Sequence, residues 1–391
     1  MKLCCNFGTQ NQTVRSDVYL KQKNNCSIIA TVIPCTFITL RAGTKGVYLS
    51  SVSASSSLLL AKTPVVISRV TINSSNTGWK QEFEVKISYA ELKQNTIISN
   101  KVTIKIYLTN ITYFHAPNTN INITGKPKIT LFAFPQGQIT HCAEINSVNY
   151  SDLDNIKDLV DSICWLISFA SGQMASIART EVFDENQLIY QEYISAITHL
   201  NSENKVIDDS EIVKFIENTY IYYFQNKDVY LLKGLINTGI LANNNLYVET
   251  KTLLMSNFLE ILRYNYALNI GCRKGFLKQK KDNFKWVEGI NNNQSAYFKD
   301  ILTTFCKANR ILKSWDDLLK DIRNRIIHQG ECLGNNIYER IENYNKLHHF
   351  CDRAILAILN WHKFSGHYIA KNNTNINPRT NKVLFNLKDF I

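Results

Sequence analysis

The sequence predicts an α+β protein in which an antiparallel, β-sandwich-like region comes first and an all-α region follows. Three observations predict it. Apolar residues recur with period two through the first third, Gly, Asn and Ser clusters separate those runs, and the period changes to that of a helix near residue 150. The chain has 391 residues, 45% hydrophobic and 19% charged, which supports two or three domains and excludes a disordered protein.

The strands come first. Gln81–Tyr89 alternates Phe83, Val85, Ile87 and Tyr89 with Glu82, Glu84, Lys86 and Ser88, and Lys101–Thr109 alternates Val102, Ile104, Ile106 and Leu108 with polar residues. Period two gives one buried and one wet face. Further β-branched runs at Ile28–Ile33, Thr36–Leu40, Pro64–Ile72 and Lys128–Phe134 imply an antiparallel sandwich or barrel. No catalytic motif lies in this region, so it reads as a recognition or docking module.

Ser151 begins the helical part, with a Ser-x-x-Asp capping arrangement to Asp154 and a stop at Gly172. Gln173–Phe183 is strand-like and returns to the β region. Helices are expected at 186–200, 209–225, 228–238, 247–268, 295–310, 314–329 and 336–364, with a loop after Asn269. Asn372–Asn377 reads as a linker, and Lys382–Ile391 as a terminal segment that docks back. The expected divisions are 1–148 for a β-rich sensing or regulatory domain, 149–205 for a connecting helical segment, 206–368 for a helical bundle and 369–391 for a C-terminal tail.

Charge narrows the partners. Residues 1–150 hold 15 Lys and Arg against 5 acids, 151–250 hold 6 against 15, and 251–391 hold 23 against 12, within a net charge of +12. Two positive stretches flanking an acidic one suit a polyanion such as nucleic acid, with solubilising charge as the plainer alternative. The longest apolar runs, such as Ile163–Ala170, span about eight residues where a bilayer needs ~20, so no membrane partner is expected. Met1-Lys2-Leu3-Cys4-Cys5-Asn6 has no secretory apolar run, which predicts a cytoplasmic protein. The ten cysteines include no CxxC pair and read as small apolar residues or free thiols. His348, His349 and Cys351 lack a second ligand pair at zinc spacing, so no metal or other cofactor is assigned.

The helix from Ser314 carries the chemistry. At 100° per residue, Trp315, Leu318, Leu319, Ile322 and Ile326 form the core stripe, while Arg323, Ile327, Asn324 and His328 fall on the outward arc. An isoleucine on that arc gains little unless something covers it, which marks Ile327 as a dimer-interface residue. Histidine is the side chain best suited near neutral pH to take a proton from a ribose 2′-hydroxyl or return one to a leaving 5′-oxygen. Arginine offers a permanently charged fork to the phosphate oxygens as charge builds in the transition state. Asn324, one turn before His328, is placed to orient the imidazole or hold a phosphate oxygen. Together these three suffice for RNA cleavage without metal, leaving a 2′,3′-cyclic phosphate and a free 5′-hydroxyl. An Arg-Asn pair at this distance ahead of a His has a chance expectation of about 0.1 in a chain of this composition.

Arg323-Asn324-Arg325-Ile326-Ile327-His328 resembles the Arg-(Asn/Asp/His)-x-x-x-His signature of HEPN domains, helical bundles that dimerise and often act as metal-independent ribonucleases. Thr252–Leu262 is similar to the first bundle helix of the ApeA-like HEPN subgroup, and Ile163–Gly172 to its connecting helix. In that subgroup a β-rich region precedes the helices, and members are bacterial abortive-infection proteins acting against phage. The likeness covers residues 210–365 and that connecting helix. It implies a HEPN-type bundle, a homodimer or higher homo-oligomer in which Arg323 and His328 of two subunits build one composite site, an RNA substrate, tRNA among the candidates, and a phage-derived trigger. Some members of the family are inactive, so a non-catalytic RNA-binding or assembly module and a toxin silenced by a separate partner stay open.

Gly271–Trp286 adds Arg273, Lys274, Lys278, Lys280, Lys281 and Lys285, interleaved with Phe276, Phe284 and Trp286. Cations that hold phosphates beside rings that stack on unpaired bases make this segment, with Arg325, the expected RNA contact; a solvated loop anchored by its aromatics is the plainer reading. In the last helix Ile337, Ile341, Tyr344, His348, Cys351, Ile355 and Ile358 form a core stripe, which makes His348 a core histidine. Asp317 and Asp321 share the arc of His328, where they cap and solvate or orient an arginine.

Overall fold

Period-two alternation in the first third builds two antiparallel β assemblies. The computed structural model describes the strand backbones between Lys2 and Lys93, most of residues 101–194, 205–311 and 316–361, and two short strands beyond them. Within those ranges, positions 112–113, 115–117, 137, 245, 282, 288–293 and 312–315 are not described, nor are the side chains of Asp316 and Asp317. Contacts divide the chain into two units, Met1–Asp161 with Ala175–His199, and Ser162–Met174 with Leu200–Ile391. The segment 149–205 is thus shared between them.

In the first unit, β1 (Lys2–Gly8), β2 (Thr13–Gln22), β3 (Ile28–Pro34), β4 (Val47–Ser51), β5 (Thr63–Ser75) and β6 (Gly78–Ile87) close a barrel in the order β1-β2-β3-β6-β5-β4. Of the sandwich and barrel that the alternation leaves open, these six strands take the barrel. The run Thr36–Leu40 lies outside the described residues.

A second sheet follows, made of β7 (Tyr89–Lys93), β8 (Val102–Thr109), β9 (Asn118–Ile121), β10 (Ile129–Gln136) and β11 (Ile139–Val148). After α1 (Leu153–Ser171) the chain comes back as β12 (Ser176–Asp184) and β13 (Gln187–Ile194), giving the order β7-β13-β12-β8-β11-β10-β9. Val102, Ile104, Ile106 and Leu108 of β8 are buried while Lys105 stays partly exposed, as alternation requires. β8 sits mid-sheet, so β12 completes one of its flanks only after the intervening helix.

Two local expectations are corrected here. The helix expected at 186–200 is the strand β13 as far as Ile194, because its backbone pairs with β12 on one side and β7 on the other. That sheet hydrogen bonding overrides a helical spacing of apolar residues. Ser151 does not cap α1: the chain enters it through a 3-10 turn over Tyr150–Asp152, where Asn149 donates a side-chain bond to Asp152 at 3.2 Å. Gly172, at φ +71°, ends α1 as expected.

The second unit is mainly helical. It contains α2 (Ile212–Asn226), α3 (Leu232–Ala242), α4 (Val248–Tyr266), α5 (Phe298–Ala308), α6 (Asp316–Gln329) and α7 (Ile337–Ile358), with a π-helical turn over Ala267–Cys272 extending α4. α4 is central, touching α3, α5, α6 and α7. Its residues Met255, Phe258, Leu259 and Leu262 are fully buried. The expected loop after Asn269 contains a hairpin, β14 (Leu277–Lys280) and β15 (Asn283–Trp286), and β16 (His367–Ile369), at the boundary of the expected bundle and tail, pairs with β17 (Leu384–Asn386) in the tail. The α7 stripe holds from Tyr344 onward, whereas Ile337 and Ile341 in its first turns are exposed. Among the described residues no helix is long and apolar enough to cross a membrane.

Candidate functional site on helix α6

Leu319, Ile322 and Ile326 bury one face of α6, and this fixes the opposite arc outward. Trp315, expected in the same stripe, lies outside the described residues. The helix stops at Gly330, whose φ of +72° suits a residue without a Cβ and whose N–H donates to the Ile326 carbonyl at 3.0 Å. His328 therefore stands in the last helical turn, exposed, next to Ile327, which is 38% exposed.

Arg323 is held from several directions. Its Nε donates to Glu260 Oε1 at 2.7 Å and its Nη2 reaches the same oxygen at 2.6 Å. Nη1 donates to Asn324 Oδ1 at 2.8 Å, and the guanidinium lies 5.4 Å from the centre of the Phe298 ring. The other oxygen of Glu260 accepts from Arg263 Nε at 3.0 Å. Asn324 thus serves the arginine; among the described residues nothing bonds it to His328. No hydrogen bond links Arg323 to His328 either, and five residues of helix place the two side chains about 140° apart.

Glu260 is what the sequence reading missed. The carboxylate on Arg323 comes from α4, 63 residues earlier, rather than from Asp321, which is exposed. The side chain of Asp317 is outside the described residues. The one available signal was the Glu260/Arg263 i, i+3 pair, which is common on any helix.

The basic segment proves to be a hairpin. The register pairs Leu277 with Trp286, Lys278 with Lys285, Gln279 with Phe284 and Lys280 with Asn283. Leu277 and Phe284 turn inward, and Phe284, 1% exposed, packs edge-on against Tyr264 at 5.6 Å. Phe276 lies against Tyr266 and Trp286. Of the rings expected to stack on bases, Phe284 anchors the hairpin instead, while Phe276 and Trp286 stay partly exposed. Gly271 permits this, since a methyl there would collide with Leu277. Arg273, Lys274, Lys278, Lys280 and Lys281 are exposed, and among the described residues none of them has an ion-pair partner. Arg325 is partly exposed and pairs with Glu331 at 3.3 Å.

Hairpin and arginine share α4. Gln279 reaches the Tyr264 hydroxyl at 3.4 Å, and Tyr264 follows Glu260 by one turn on the same side of that helix. At its other end α6 returns toward the start of α4, where Cys332 lies 3.2 Å from the Thr252 hydroxyl. Exposed apolar residues occur around the start of α4 (Leu246, Tyr247 and Leu253), on the last turn of α6 (Ile327) and on the first turns of α7 (Ile337, Tyr338 and Ile341).

His348 belongs to the core, 1% exposed. Its Nδ1 lies 3.2 Å from the Tyr344 hydroxyl, which donates to the Ala242 carbonyl, and its Nε2 lies 3.7 Å from Asp352. Compared with known protein families, curated proteins and solved structures, the chain matches none.

Proposed function

We propose that this protein is a metal-independent endoribonuclease whose active centre forms where Arg323 and His328 of two identical chains meet. One observation carries the reading: an exposed imidazole and a restrained guanidinium occupy one helix, within a helical unit that also presents exposed lysines and exposed apolar residues. The 140° between the two side chains keeps one chain from closing both on a single phosphate, whereas a two-fold contact through Ile327 brings one subunit's imidazole toward the other's guanidinium. In that site the imidazole takes the proton from the ribose 2′-hydroxyl, and the oxygen attacks the adjacent phosphorus. Arg323 stabilises the charge that gathers on the phosphoryl oxygens, and a protonated imidazole returns a proton to the departing 5′-oxygen.

The resemblance of Arg323–His328 to the HEPN signature supports the same reading. It extends it to a HEPN-type bundle in a cytoplasmic abortive-infection effector that arrests growth on phage attack, with the β-rich unit sensing the trigger. The lysine face of the hairpin, Lys278, Lys280 and Lys281 with Arg273 and Lys274, supplies RNA-backbone contacts, and Arg325 adds another.

The test is cleavage of RNA by the purified protein in chelator. Wild type is expected to cut, and His328→Ala to lose about 10²–10⁴ in rate while remaining folded and dimeric. Equal cutting by the variant rejects the assignment. The lysine face by itself favours a second reading, a non-catalytic RNA-binding module, which predicts salt-dependent binding with no cleavage in any state.

A further inference from the structure

Glu260 has no role in the chemistry just described, yet it makes the shortest contacts of the site. Its Oε1 accepts from Nε of Arg323 at 2.7 Å and lies 2.6 Å from Nη2 as an ion pair, and its Oε2 accepts from Arg263 at 3.0 Å. An arginine has five N–H donors. Glu260 takes the Nε–H and abuts Nη2, and Asn324 takes one N–H of Nη1, so each terminal nitrogen keeps at least one donor. Phe298 lies beneath the guanidinium, limiting its tilt.

A free arginine side chain samples many rotamers, and ordering it on binding costs conformational entropy. Here that ordering is complete before any substrate arrives. The carboxylate holds one edge, the amide holds the near terminal nitrogen and the ring holds the face. The donors left over form a two-pronged end suited to two oxygens of one phosphoryl group. Arg263 neutralises the remaining carboxylate oxygen, so the pair of arginines outweighs the single carboxylate and the cluster stays cationic toward an anion.

From this arrangement we infer that Glu260 is the positioning residue of the ribonuclease site: it fixes Arg323 so that two terminal N–H groups meet the scissile phosphate. The inference rests on the nuclease reading of Arg323 and His328. It assigns no proton transfer to Glu260, which acts only through Arg323. Asn324 is its partner in the same task.

Cleavage rates and the Nε–H resonance of Arg323, identified by its loss in Arg323→Lys, test this together in the full-length protein. Glu260→Ala is expected to lower kcat tenfold to a hundredfold with little change in KM, as misplacement of a substrate-positioning group does. Glu260→Gln keeps one acceptor and is expected to recover part of the loss. In the double variant Glu260→Ala/Arg323→Ala the rate should equal that of Arg323→Ala alone, because the carboxylate has nothing left to position. The Arg323 Nε–H signal should be protected from exchange in wild type and lost in Glu260→Ala. Wild-type cutting by Glu260→Ala, with His328→Ala inactive, overturns the positioning role and leaves the nuclease reading standing. Cutting that survives His328→Ala overturns the nuclease reading. The Nε–H signal then judges the Glu260 contact independently, and its persistence in Glu260→Ala overturns that contact as well.

Discussion

Arg323 and His328 differ in how the chain treats them, and the difference matches the tasks proposed for them. The guanidinium is a fixed charge that gains from restraint, so it is tied to Glu260 and Asn324 before substrate binds. The proposed chemistry asks the imidazole to gain and lose a proton at a surface open to substrate, and it stands exposed in the last turn of α6. His141, in contrast, is buried on β11, with Nε2 3.4 Å from the Phe114 carbonyl, and burial pushes its pKa below the usual histidine value of 6.5. The unfolded chain takes up a proton there that the fold resists. Stability is therefore expected to fall as pH drops through about 6.5 and to level off below the depressed folded value. His141→Asn should flatten that slope in denaturant melts between pH 7.5 and 5.5; an unchanged slope contradicts the assignment.

At the scale of elements, α6 and the β14–β15 hairpin were legible to different depths. The apolar spacing of α6 and its Gly330 stop can be read from sequence, because a helix face and its αL terminus are local properties. Gly330→Ala strains that terminus and is expected to cost about 1 kcal/mol, fraying the turn that carries His328 and lowering the melting temperature. The hairpin was hidden inside an expected loop, since its strands are four residues each and their inward rings depend on Tyr264 and Tyr266 of α4. Its cations were legible; their separation from the aromatics required the register. Lys278↔Lys285 places like charges directly opposite, which disfavours the hairpin unless an anion lies across it. Changing Lys278, Lys280 and Lys281 together to Ala should weaken RNA binding at every sequence and make the log–log salt dependence shallower by about two to three. A salt slope equal to wild type places the RNA elsewhere.

The whole molecule joins a β-rich unit to a mainly helical one, and the alternation of the first third and the change of period near residue 150 announce that order. What sequence spacing could not show are the long-range pairings. β13 finds β7 about 100 residues back, so a segment whose spacing reads as helix becomes a strand, and Glu260 finds Arg323 across 63 residues. Nor could it show that Ile337 and Ile341, members of an apparent core stripe, would be left exposed, as Ile327 is. Exposed apolar side chains are costly in water, and in the proposed dimer they would gain by being covered. Ile327→Asp is expected to weaken self-association at least tenfold by sedimentation and to reduce cleavage in parallel, whereas cutting by a fully monomeric variant contradicts a composite site.

The chemistry of the RNA ends is the most direct measurement. Products made in chelator by wild type should carry 2′,3′-cyclic phosphates and 5′-hydroxyls, and His328→Ala should yield neither. Ends bearing 5′-phosphates, or the same cyclic ends from the His328→Ala protein, contradict attack by the 2′-hydroxyl at an Arg323/His328 centre.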